Sequence, residues 1–112
     1  MGVANLDTLK KVEKLTVDIA KKIKGASAGM HGGYGGIISI NKGGFLGLGS
    51  KNIGLINIIG RQERTQKRFG EPEIIVEFRD KNFPEYNTVM SFLESEKERF
   101  KREHINLVIG EE

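Results

Sequence analysis

The chain has no cysteine and no tryptophan among its 112 residues, and only two prolines and two histidines. Without cysteine there is no disulfide framework, no thiolate metal site and no thiol nucleophile. A zinc site would need His31, His104 and carboxylates, and these stand at no recognisable ligand spacing. No apolar run approaches the roughly 20 residues of a membrane-spanning helix. The start of the chain lacks the apolar core of a secretory signal. A cytoplasmic protein is therefore expected, and the missing cysteine agrees with a reducing compartment. No metal and no cofactor is expected.

What the chain has in quantity is glycine. Of 15 glycines, twelve lie between Gly25 and Gly60. The length predicts one domain, residues 1–112, large enough for a core without staples. The net charge is +3 with a pI near 9.2. That excess alone does not establish a polyanionic partner, so its placement matters more.

Residues 1–24 predict a helix, with Asp7 or Asn5 able to cap its start. Leu6, Leu9, Val12, Leu15, Ile19 and Ile23 recur at three- and four-residue steps and form one apolar stripe. Lysines populate the rest, and Gly25 is a natural stop. Residues 25–36, GASAGMHGGYGG, predict a mobile glycine-rich loop. Residues 37–112 predict a sheet plus a C-terminal helix. Strands are expected at about 36–41, 45–49 and 53–59, with a turn at Asn41-Lys42-Gly43-Gly44. Gly47 and Gly49 suggest a bulge or bend. Residues 60–72 predict a polar, basic connector, and Glu73–Phe78 a further strand. On that strand Ile74, Val76 and Phe78 share one face, with Glu73, Ile75 and Glu77 on the other.

The last third admits two readings. In one, Pro84 opens a helix to about residue 103 and a strand Asn106–Ile109 follows. Tyr86, Val89, Met90, Leu93 and Phe100 then share a face. In the other, Asn87–Leu93 is a strand, and a helix capped by Ser95 and Glu98 runs to Ile109. Propensity favours the first. The fold class expected is α+β: an N-terminal amphipathic helix, a curled, barrel-like antiparallel sheet of about five strands, and a helix near the C-terminus.

Gly44-Phe45-Leu46-Gly47, the strand Asn52–Ile58, the basic connector, the strand ending in Phe78 and Asn87-Thr88-Val89 follow in a suggestive order. Over about residues 36–109 this series resembles the bacterial pleckstrin-homology-like domains of unknown function. The resemblance implies a bent antiparallel barrel closed by a helix, and a binding or assembly role without catalytic residues. A strand at 87–93 supports it; a helix there removes most of its basis. Ile58-Ile59-Gly60-Arg61-Gln62-Glu63 looks like the gripping loop of the KH nucleic-acid module. Glu63 stands where that loop needs a second glycine, and a carboxylate there repels phosphate.

Arg61, Arg64, Lys67 and Arg68 form the densest basic cluster, and Lys42 and Lys51 complete the candidate ligand-binding set. Such a cluster can grip phosphates through charge-assisted bonds, or merely solvate a hairpin end. The leading expectation is a non-enzymatic binding or assembly module taking an anionic ligand, a lipid surface or a protein partner, with homo-oligomers open. Nucleic acid bound on the same basic face is the alternative. An enzyme with its site at the glycine-rich loop, around His31 and Tyr34, is a third reading, although no serine or carboxylate partner for His31 is identifiable. The lysine-rich helix could lie on an anionic membrane, but its stripe lacks Trp and Phe, and packing on the chain's own sheet or on a partner copy is the simpler use.

Overall fold

The computed structural model describes the backbone of residues 2–3, 6–31, 35–42, 51–64 and 69–111, and the side chains of 7–30, 35–41, 52–61 and 72–110. In chain order the elements are β1 (Gly2–Val3), α1 (Leu6–Ala20), β2 (Ala26–His31), β3 (Gly35–Lys42), β4 (Lys51–Arg64), β5 (Phe69–Phe78), α2 (Tyr86–Arg102) and β6 (Asn106–Glu111).

The strands form one open sheet in the order β2-β3-β4-β5-β6. β2 to β5 are an antiparallel meander. β6 runs parallel to β5 because α2 carries the chain back to the start of that strand. A helix of 17 residues spans about 25 Å, enough to return along the six residue pairs of β5 and β6. β1 pairs Val3 with Arg61 and Gly2 with Gln62, continuing the line of β3 along β4. The β3–β4 ladder slips once: Ile38 faces Ile56 and Ser39 faces Gly54, leaving Leu55 as the extra residue of a bulge. Leu55 is buried, and its carbonyl accepts from the Arg79 N–H at 2.8 Å.

Both helices lie on one face of this sheet. α1 buries Val12, Leu15, Ile19 and Ile23, and α2 buries Val89, Leu93 and Phe100. They meet Ile38, Ile56, Ile58, Ile74, Val76, Phe78 and Leu107 in one cluster. Each such side chain contributes about 1.5–3 kcal/mol by leaving water. The helices run antiparallel beside each other. Lys11 reaches Glu103 at 3.7 Å, Lys22 sits 4.3 Å over the Phe92 ring, and the Lys24 N–H donates to Glu85 at 3.2 Å. Gly36 fixes how closely α1 approaches: a Cβ there would collide with Thr16 Oγ1 and lie 2.9 Å from Thr16 Cγ2. Thr16 is buried, its hydroxyl donating back to the Val12 carbonyl at 2.7 Å. Phe78, Phe83 and Tyr86 form an aromatic corner that pins the β5–α2 connection, with centroids 5.2–6.4 Å apart.

α2 stops in a left-handed cap. His104 has φ 60°, its N–H donates to the Lys101 carbonyl at 3.1 Å, and the Ile105 N–H donates to Phe100 at 2.9 Å. This is the Schellman arrangement with histidine at the position glycine usually takes. Ile105 and Phe100 are both buried, as the accompanying apolar contact requires.

The α+β class, the two helices and the five-strand sheet are as expected. Residues 87–93 are helical, which selects the Pro84 reading over the strand that would have supported the pleckstrin-homology resemblance. The sheet is open and mixed rather than barrel-like. The loop expected at 25–36 is largely strand: β2 pairs with β3 from Ala26 to His31, and β3 begins at Gly35. Its glycines lower local propensity, but the ladder with β3 satisfies the backbone and overrides it. The connector expected at 60–72 is also mostly strand, because β4 runs to Arg64 and β5 starts at Phe69. Asp7 sits inside the first turn of α1 and pairs with Lys11. Asn5, the strand expected at 45–49, its Gly47–Gly49 bend and the glycines of the Asn41–Gly44 turn lie outside the described residues.

Candidate functional site: the uncovered face of the sheet

The strand period places alternate residues of β3 to β6 on the face opposite the helices. Among the described residues no element covers that face. The register arranges it in rows across the strands. Ile59, Ile75 and Val108 are side-by-side neighbours on β4, β5 and β6. Ile37, Asn57, Glu77 and Gly110 form the row on one side, and Arg61, Glu73 and Asn106 the row on the other. Ile37, Ile59 and Ile75 are half-buried, and Val108 is 36% exposed. A shallow trough of about 270 Å³ crosses the β3–β4 side, lined by Gly35, Gly36, Ile37, Asn57, Ile59 and Arg79. A Cβ on Gly35 would lie 2.6 Å from the Ile58 carbonyl oxygen, so position 35 must stay without a side chain.

The polar row is internally paired. Arg61 Nε donates to Glu73 Oε1 at 2.8 Å, and its Nη2 lies 2.7 Å from the same oxygen. Asn106 Nδ2 donates to the other carboxylate oxygen at 3.4 Å. One carboxylate thus ties β4, β5 and β6 together on the solvent side. The other marked electrostatic feature is remote: Arg99 is raised above its ordinary range by its hydrogen bond to Glu96, with Glu103 and Asp18 nearby. Among the described residues no group of three His, Asp or Glu stands close enough to hold a metal ion. No helix among them is long and apolar enough to cross a membrane.

The residues singled out in the sequence do not converge on one described site. Arg61 lies on the uncovered face, held by Glu73. Arg64 is the last residue of β4. Lys67 and Arg68 lie outside the described residues, as does Tyr34. Lys42 and Lys51 are register partners at the opposite end of β4. Ten residues of strand separate Lys51 from Arg61, about 34 Å. His31 ends β2 opposite Gly35. α1 packs its apolar stripe on the chain's own sheet, one of the uses expected for it.

Sequence reasoning passed over the apolar row on the uncovered face. Its signal is in the doublets Ile37-Ile38, Ile58-Ile59, Ile74-Ile75 and Val108-Ile109. A strand with one solvated face alternates apolar and polar, whereas a doublet puts one apolar side chain on each face. Set against family models, curated proteins and solved structures, the chain matches none.

Proposed function

We propose that the protein is a non-enzymatic binding module whose protein ligand docks on the uncovered face of the sheet. The observation that carries this reading is the Ile59–Ile75–Val108 row, an apolar strip with no described element over it. Sheets with apolar side chains on both faces are ordinarily covered on both. The strip has the anatomy of an interface, an apolar centre with polar residues at its margins. The flanking polar rows supply orientation: the Asn57 amide and Glu77 on one side, the Arg61–Glu73–Asn106 chain on the other. The anionic-ligand reading has less support, because the one described guanidinium of the basic cluster is already paired.

The test is photo-crosslinking from Asn57 in the full chain, in cells that make it. A partner captured by the wild type should be lost in Ile59→Lys and Ile75→Lys, and kept in Val17→Lys on the exposed side of α1. Equal capture by all three variants removes this face from the function. Salt-sensitive binding to nucleic acid or anionic vesicles, lost on neutralising Arg64, Lys67 and Arg68, favours the basic cluster instead.

A further inference from the structure

We propose that two copies of this chain associate through β6, antiparallel about a two-fold axis at Val108, each strand's acidic end entering a basic cleft beside the other's β6. The inference does not depend on the uncovered face having a ligand.

Among the described residues β6 is the outer strand of the sheet. Edges exposed to water are normally blunted by lysine, proline, a bulge or extreme shortness. β6 reads NLVIGE, without lysine, arginine or proline, and its register with β5 is unbroken from Asn106 to Glu111. The opposite edge, β2, reads ASAGMH, and its small residues and glycine make it the poorer template. Leu107-Val108-Ile109 at the centre of β6 is the stronger strand former.

The register follows from the sheet period. Residues facing each other across an antiparallel pair must lie on the same side, so their numbers must add to an even total. Centring on Val108 sets it opposite the second copy's Val108, Leu107 opposite Ile109, and Asn106 opposite Gly110. No charge meets a like charge over this stretch, and a side chain on Gly110 would have open space around it. One step outward, Glu111 falls opposite the second copy's Ile105. A cleft of about 480 Å³ lies there, walled by Lys97, Glu98 and Lys101 of α2 and by Ile105, Asn106 and Leu107. Two lysines against one glutamate make it a receptor for an acidic strand end. The chain supplies that end in Glu111-Glu112. The two-fold repeats the contact and closes the assembly, whereas joining β2 to β6 would propagate without end.

Sedimentation equilibrium of the full chain over a wide concentration range tests this. The wild type should show a reversible monomer–dimer equilibrium. Val108→Lys should raise the dissociation constant at least about tenfold, with far-UV circular dichroism unchanged. Lys97→Glu with Lys101→Glu should weaken association similarly, and adding Glu111→Lys with Glu112→Lys should restore it. A wild type that stays monomeric overturns the proposal, including one that takes up an unrelated acidic peptide at this edge. So does a dimer indifferent to both sets of variants, or a charge reversal that the compensating exchange does not rescue.

Discussion

On β4, Ile58 lies fully buried beneath the helices, while its neighbour Ile59 is half-buried on the opposite face. The same contrast holds at Ile74 and Ile75 on β5. On the helix side the sheet is over-determined: every strand from β3 to β6 contributes to one cluster, and close packing fixes each side chain. On the other side similar side chains stand in rows that no described element covers. Hydrophobicity is therefore a poor guide to role here, and position on the pleat is a good one. The helix face makes the fold, and the proposed function rests on the other one.

The largest expected difference is between truncations on the two faces. Ile58→Ala should cost about 3–4 kcal/mol, the lost burial plus the cavity left behind. Ile59→Ala should cost under about 1 kcal/mol in the monomer. Urea midpoints for the two variants give the comparison directly. Equal losses would show that the second face is covered in solution and would erase the distinction.

Glycine on the two faces sharpens it further. A Cβ on Gly36 meets Thr16 of α1, with Met30 Sδ 3.1 Å away, so Gly36→Val must lift the helix and should cost about 1–3 kcal/mol. A Cβ on Gly29 lies 3.6 Å from Ile37 Cγ2, an ordinary contact. Gly29→Val should leave stability unchanged or raise it by a few tenths of a kcal/mol, because valine suits a strand better than glycine. Thermal midpoints should thus move apart for one substitution on two strands. A fall of the same size for both would mean that the uncovered face is packed too.

Much of the helix side was legible in the sequence. The 3.6-residue stripe of α1, the period of β5 and the helix opened by Pro84 each carry a strong local signal, and each is found in place. β2 was illegible for a physical reason: GASAGMH has low strand propensity, and its stability comes from a ladder to residues 35–40 that no local window contains. The parallel β6 depends on where α2 ends, which pattern alone leaves two ways. The basic cluster shows the limit most clearly. Sequence proximity put Arg61 among cations, whereas the strand register put it opposite Glu73, twelve residues away. Spacing along the chain cannot reveal a cross-strand partner.

That pair gives a small expected effect on stability and the sharpest one on function. Arg61 is 39% exposed and Glu73 24%, so solvent screens their attraction. Glu73→Gln should cost at most about 1 kcal/mol, a loss that shrinks with added salt. The same substitution frees the Arg61 charge. If Glu73 masks an otherwise anion-binding surface, heparin or anionic vesicles should bind the variant more tightly than the wild type, with affinity falling steeply as salt rises. Wild-type binding that is already tight, and unchanged by Glu73→Gln, would place anion recognition away from Arg61. The proposed docking of a protein on the apolar row would then stand without a contribution from this pair.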